Sequence, residues 1–390
     1  TGDKSLSFDG SNDYVSVPYS ADLNSFTNAL TVSAWVKVSG SSLKTIISNG
    51  NEEGFAFMIN EDNAFYVNVQ NQSGWSSVYV QQGNGISSNV WNHLVLTYNG
   101  SALKIYINGA FHSRENAQIS VFDSGFLVGD GIWEGLRLHN GKFAFLNKHL
   151  DRLFAGASAI HLDIGLSREE LISALFETVE INKMTDDVHV RLMITRGDKK
   201  TPSQHPSNVV GGPNIVIIAE HKVADPSISQ EGITLFTVTV RRPPPDTLDQ
   251  RLNCHSKLHE VIALVQAIEA GADEALMLDP TGAVATCNAT NFFIVKNGQV
   301  WTSTGEYCLN GITRELVIEI ARENGLKAFE KPFSLTDVYS ADEAFVTGTF
   351  GGLTPVTKVD GRTIADGKIG SATLLLQGLY KEAINAEVSK

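Results

Sequence analysis

Cysteine, positive charge and long apolar runs are scarce in this 390-residue sequence. Its 3 cysteines (Cys254, Cys287, Cys308) are too few and too scattered for a disulfide framework or a CxxC-type metal site, so no metal centre is expected. Lys and Arg number 30 against 43 Asp and Glu, a formal charge of −13. Binding to phosphate backbones depends on clustered cations, so no nucleic-acid partner is expected. No run of about 18 apolar residues exists, so no membrane-spanning helix is expected either. No basic stretch followed by an apolar core lies near Thr1, and the expectation is a cytoplasmic protein. What remains, 42% hydrophobic and 19% charged, is an ordinary globular composition whose length suggests two or three domains.

The first hundred residues are rich in Ser, Asn and Gly. Short alternating or β-branched runs at 30–38, 55–59, 64–69 and 94–98 are punctuated by turn residues, a pattern that predicts an all-β sandwich. The stretches SLSFDGSNDYVSVP (5–18), TVSAWVKV (31–38) and WNHLVLTYNGSALKIYING (91–109) resemble a laminin-G/concanavalin-like jelly roll. The resemblance stops short of the strands that normally close such a sandwich, so the module is expected to be incomplete. It implies either core packing or sugar stacking for Trp35 and Trp91, the latter with a glycan partner. The run from Ile105 reads equally as the last strand of this module or the first of the next, and the boundary falls between residues 103 and 117.

Beyond it, strands and helices alternate. Ser167 and Glu170 form a capping box for a helix over 167–184, with Leu171, Ile172, Leu175, Phe176 and Val179 on one face. Strand-like runs follow at 188–195, 215–219 and 235–240. The prolines at 243–245 read as a rigid connector between two subdomains. Helices are expected at 256–270 and 313–324, the latter stopping at Gly325. Strands are expected at 274–279, 292–296 and 343–347.

Two short stretches suit an anionic group. Asn310-Gly311-Ile312-Thr313 precedes an amphipathic helix, whose free N–H groups and dipole favour an anion. Gly348 and Thr349 lie in a Gly-Thr turn at the end of a strand, where backbone amides can approach a phosphate. Helix capping alone would explain either one.

Five separated stretches, 121–138, 149–160, 271–279, 309–316 and 341–356, look like motifs of the class IV (fold-type IV) aminotransferases. That family includes branched-chain and D-amino-acid aminotransferases and aminodeoxychorismate lyase. The resemblance implies an α+β fold of two subdomains, with a layout of 1–109 sandwich, 110–242 small subdomain and 243–390 large subdomain. It also implies pyridoxal 5'-phosphate as cofactor, an amino acid and a 2-oxo acid as substrates, and a homodimer. Arg152 matches the arginine used against the cofactor phosphate, where a guanidinium fork suits an oxyanion; a surface ion pair is its plain alternative. Gly311, Ile312 and Thr313, with Gly348 and Thr349, match the phosphate cup. Arg191 and Arg196 fall where a carboxylate-binding arginine is expected. Being five apart, they would point to opposite faces of one extended strand. Phe126 and Trp133 match a substrate-pocket wall or are plain core.

The resemblance breaks at the reacting end. The Schiff-base lysine slot falls on Leu252 or Asn253, and neither carries an amine. Lys257 is the nearest lysine; it either takes the role or reaches to solvent from a helix. Thr286 fills the slot that normally offers a glutamate to the cofactor ring nitrogen. His255 and His259 read as acid/base candidates or as ordinary helix residues. Three readings follow: amino-group transfer through Lys257, a lyase of the aminodeoxychorismate type, or a carbohydrate-binding module fused to an inactive aminotransferase fold.

Overall fold

The computed structural model describes residues 104–389 and, before them, residues 30–37, 44–48, 55–59, 65–71, 74–80 and 92–98. Two compact units divide between Ala102 and Leu103. In the first, β1 (Leu30–Val36) pairs antiparallel with β6 (Asn92–Tyr98). The strands β2 (Lys44–Ser48), β3 (Phe55–Ile59), β4 (Phe65–Asn71) and β5 (Gly74–Val80) form an antiparallel meander. Four of the six, β1, β3, β4 and β6, are strands that alternation predicts, within about two residues at each end; β2 and β5 are additional. The stretch 5–18 and Trp91 lie outside the described residues.

The second unit opens with β7 (Lys104–Ile107) and β8 (Ala110–Ser113). Helix α1 (Ser124–Val128), β9 (Gly131–His139), β10 (Lys142–Phe143), α2 (Leu146–Ala159), α3 (Arg168–Ile181), β11 (Val188–Thr195) and β12 (Asn214–His221) follow. The six strands form one sheet in the order β10-β9-β11-β12-β7-β8. The ambiguous strand from Lys104 therefore belongs to this sheet, through Ile107 opposite Val216 and Tyr106 opposite Ile217. Period-2 alternation sorts β11 cleanly: Val188, Val190, Leu192 and Ile194 are buried, while His189, Arg191 and Met193 face the other way. The buried face joins Leu136 and Leu138 of β9 and is covered by Leu150 and Leu153 of α2 and by Leu171 and Leu175 of α3. The Ser167–Glu170 capping box is present at the start of α3.

A larger sheet has the order β15-β14-β13-β20-β19-β16-β17-β18. Its strands are β13 (Ile233–Thr237), β14 (Glu274–Leu278), β15 (Val284–Cys287), β16 (Asn291–Lys296), β17 (Gln299–Thr302), β18 (Lys327–Glu330), β19 (Glu343–Gly348) and β20 (Gly352–Val359), with β21 (Arg362–Thr363) paired to β20. The helices of this part are α4 (Pro226–Glu231), α5 (Pro245–Leu248), α6 (Leu258–Glu269), α7 (Ile312–Glu323), α8 (Leu335–Tyr339) and α9 (Ser371–Ser389). One core joins Leu235, Leu276, Phe292 and Val346, and another joins Phe293 and Phe345 to Leu316, Val317 and Leu376. The prolines at 243–245 do not connect the two sheets. β13 already belongs to the large sheet, so the crossing lies between His221 and Ile233, and Pro245 instead opens α5. All three cysteines are buried and unpaired. Among the described residues no helix is long and apolar enough to cross a membrane.

Candidate active site

Helix α7 starts at Ile312 behind Gly311, and no side chain caps its first N–H groups. They remain available to an anion. Gly311 is required by crowding: a Cβ there would lie 2.4 Å from Asn291 Oδ1. Asn291 fixes the approach to the helix, donating from Nδ2 to the Leu309 carbonyl at 2.9 Å. Ile312 and Thr313 line a small cavity together with Thr349, Arg137, His139 and His149. The Thr313 hydroxyl lies 3.3 Å from the Tyr380 hydroxyl of α9. Gly348 closes β19 beside the cavity, one residue before Thr349.

Arg152 reaches this helix start from α2, donating from Nη1 to the Asn310 carbonyl at 2.9 Å. Its Nε and Nη2 donate to the two carboxylate oxygens of Glu134 at 2.8 and 2.7 Å. A guanidinium has five N–H donors, so two remain for a ligand. Glu134 is fully buried in β9 and also lies 2.7 Å from His149 Nδ1. Burial alone would raise its carboxyl, but hydrogen bonds from Arg152 and His149, with their charge, outweigh burial and hold it below the usual carboxylate range. Glu134 and His149 are not among the residues that motif and spacing single out. Their signal was a carboxylate in the core-facing register Ile132-Glu134-Leu136-Leu138, and a histidine one turn before Arg152 on the same helix face.

The opposite face of the small sheet is cationic. The Arg191 guanidinium carbon stands 3.7 Å from the Trp133 ring centroid. Among the described residues no carboxylate pairs with Arg191, and burial lowers its pKa. Gly135, opposite Arg191 in the register, keeps this face open, since a Cβ there would meet His189 at 3.1 Å and the Trp133 ring at 3.6 Å. His189 packs edge-on against Phe350, the neighbour of Thr349. Burial first, then Arg191, Lys222 and Arg137, push its pKa down to about 4, so it is neutral at pH 7. Arg137 and Lys222 flank the same Phe350 ring at 5.4 and 4.5 Å.

Arg191 and Arg196 part company. β11 ends at Thr195, so the strand register does not govern Arg196. That side chain is consumed by Asp130 at 2.6 Å and by the carbonyls of Ile160 and His161. Trp133 is half-buried under Arg191, whereas Phe126 is 74% exposed on α1.

At the lysine slot, Leu252 is half-buried and Asn253 is turned inward, 6% exposed. Residues 253–255 run along β9: Trp133 N donates to the Asn253 carbonyl at 2.9 Å, and Cys254 bridges to Ile132. Helix α6 begins at Leu258 rather than 256, with Lys257 as its N-cap. Lys257 Nζ sits 3.2 Å from Glu260 Oε1, a carboxylate shared with the buried Arg242 at 2.7 Å. Lys257 is not among the residues lining the cavity by Thr313. The Thr286 hydroxyl donates to the Thr290 carbonyl at 2.8 Å. His255 Nε2 lies 3.1 Å from the Ile132 carbonyl and His259 Nε2 lies 3.0 Å from Gln250 Oε1. Both are half-buried, and burial lowers both pKa values.

A small and a large sheet, with a guanidinium lodged at a helix start, define a chain that belongs to the amino-transferase class IV family, whose model matches residues 131–359. Residues 9–144 match the concanavalin A-like lectin/glucanases superfamily. The chain is 43% identical over 270 residues to the branched-chain-amino-acid aminotransferase-like protein 1 of Arabidopsis thaliana, covering 69% of this chain and 48% of that protein. It therefore spans about half the length of that relative. Identity to a putative branched-chain-amino-acid aminotransferase of Methanocaldococcus jannaschii is 40% over 281 residues, or 72% of this chain and 96% of the relative. Among solved structures, a branched-chain aminotransferase from the thermophilic archaea, that of Thermoproteus uzoniensis with norvaline, superposes with a TM-score of 0.67 at 30% identity, covering 74% of this chain and 97% of that one. A second branched-chain amino acid aminotransferase, complexed with N-(5'-phosphopyridoxyl)-L-glutamate, superposes with a TM-score of 0.68 at 30% identity, covering 74% of this chain and 95% of that one.

Proposed function

We propose that this protein binds pyridoxal 5'-phosphate and transfers an amino group between an amino acid, of branched-chain or D-amino-acid type, and a 2-oxo acid. The observation that carries the reading is the α7 helix start, where Thr313 and Thr349 line one cavity and Arg152 docks on Asn310 with two donors to spare. These residues fit the phosphate end of the cofactor: the helix start has uncapped N–H groups, Ile312 and the Thr313 and Thr349 hydroxyls line the cavity, and the Arg152 guanidinium stands on the Asn310 carbonyl just before Gly311. When bound, the cofactor supplies the electron sink for transfer of the amino group. Arg191, stacked on Trp133 with no carboxylate partner among the described residues, supplies the donors for a substrate carboxylate, a task that Arg196 is not free to take.

The reacting end fits less well. The Thr286 hydroxyl already donates to a carbonyl, so a protonated ring nitrogen would meet a weak acceptor in place of a carboxylate. Lys257, half-buried and four residues past Asn253, is the lysine assigned to hold the cofactor; doing so requires leaving a carboxylate that Arg242 also neutralises. Asn253 in the slot favours a second reading, a scaffold that binds the cofactor without transamination. Borohydride reduction of the protein loaded with pyridoxal phosphate, followed by peptide mapping, separates the two. Label on Lys257 that disappears in Lys257→Ala supports transfer, whereas no labelled lysine leaves only the binding scaffold.

Self-association fits two adjoining apolar surfaces. Leu258, Val261, Ile262, Val265 and Ile268 form an exposed stripe on α6, and Val121, Phe122, Phe126 and Val128 are exposed at α1. Ser256, just before α6, donates to the carbonyl of Gly129, just after α1, at 3.2 Å, which ties the two elements together. A second copy on this face would enclose Phe126; sedimentation as a monomer would remove that assignment. A cytoplasmic setting and a glycan partner for the first unit complete the reading, and a glycan array without binding would dispose of the latter.

A further inference from the structure

We propose that Asn253 recognises an amine: its side-chain oxygen accepts a hydrogen bond from the amino nitrogen of the aminated cofactor, pyridoxamine 5'-phosphate. The inference rests on the cofactor reading above and goes beyond it by giving the empty lysine slot a binding task. Asn253 Oδ1 is buried and has no hydrogen-bond partner among the described residues. The orientation of the amide is fixed by its other end, because Nδ2 donates to the Trp133 carbonyl at 2.7 Å. A flipped amide would set two carbonyl oxygens against each other, so the acceptor must point away from β9. The main chain is held as well, by the bond from Trp133 N to the Asn253 carbonyl. A buried acceptor left unmet is costly, and it is retained where a ligand brings the donor.

The chemistry of the donor follows from the place. The resemblance to the family implies that the slot, at Leu252 or Asn253, is where a lysine amine would stand beside the reactive carbon of the cofactor, and of the two only Asn253 offers a polar side chain. With asparagine there, the nitrogen at that carbon belongs to the ligand, and an acceptor oxygen suits its N–H. The same oxygen repels a carbonyl, so the site favours the aminated form over the aldehyde. Trp133 couples this acceptor to the other end of an amino acid: its main chain holds Asn253 and its indole carries Arg191. One residue thus anchors an acceptor for the amine and donors for a carboxylate.

Calorimetric titration of the full chain with pyridoxamine 5'-phosphate and with 4'-deoxypyridoxine 5'-phosphate tests this. The two probes share ring and phosphate and differ by the amino group. Wild type is expected to prefer the amine by roughly tenfold, the effect of one buried hydrogen bond. Asn253→Leu, close in volume, is expected to abolish the preference while changing the affinity for the deoxy probe less than about twofold, because the phosphate contacts are untouched. Should the leucine variant not fold, Asn253→Ala is read in the same way. Equal binding of both probes by wild type, or a preference that survives the loss of the amide, overturns the role of Asn253 and leaves the cofactor reading standing. Binding of neither probe overturns both.

Discussion

The helix start at Ile312 and the lysine slot at Asn253 are built on opposite terms. At the helix start the residues that would hold a phosphate are locked: Arg152 is tied to Glu134 and Asn310, Glu134 is tied to His149, and Asn291 pins the turn. At the slot an acceptor is left unmet, Lys257 shares its carboxylate with Arg242, and the Thr286 hydroxyl is spent on the Thr290 carbonyl. On the proposed reading, the difference makes binding and reaction separable in this fold. The first depends on a preorganised network of charge, the second on a few side chains that can change without disturbing it.

The contrast can be broken most forcefully at Glu134. Glu134→Ala leaves the half-buried Arg152 guanidinium and the buried His149 without their shared carboxylate and is expected to destabilise the fold by about 3 kcal/mol. Urea unfolding measures this, and a loss under about 1 kcal/mol would show that Arg152 does not depend on it. Next in size, Arg152→Lys replaces a fork by a point charge and is expected to weaken pyridoxal phosphate binding by roughly tenfold, about 1.4 kcal/mol. Spectroscopic titration reads it; an unchanged affinity would move the phosphate elsewhere.

The smallest effect is a slope with pH. Glu274, buried in β14, accepts from Ala289 N and from the Thr290 hydroxyl, and so holds the turn next to Thr286 and Asn291. Burial pushes its pKa up to about 7, against an ordinary value of 4.5, with the hydrogen bonds only partly opposing the shift. A raised carboxylate pKa favours the folded state below 4.5, and that contribution is lost as pH rises toward 7. Glu274→Gln should therefore flatten the stability profile between pH 4.5 and 7 in thermal melts. His189 has the opposite sign. With its pKa lowered to about 4, it favours folding above 6.5 and loses that contribution as pH falls toward 4.

Much of the scaffold was legible from local pattern. The β11 strand matches its alternation residue for residue, and the Ser167–Glu170 box sits where the spacing placed it. What failed was set by distant partners or by element ends. The pattern places Arg196 on the strand, but β11 stops one residue earlier and Asp130 claims the side chain. The proline run looked like a connector because its stiffness is local, whereas membership of β13 in the large sheet depends on pairing with β14 and β20. The sequence marked the slot at Leu252 or Asn253. That the amide would be tied to Trp133, 120 positions away, has no local signature.

The strand from Lys104 to Ile107 has a practical consequence for anyone dividing the protein. It belongs to the second unit, yet it begins only a few positions after β6 ends at Tyr98. An expression clone of the enzyme-like part started at Ala110 would strip β12 of its neighbour and leave a raw edge prone to pair with other molecules. The two halves can be parted cleanly only within that narrow seam.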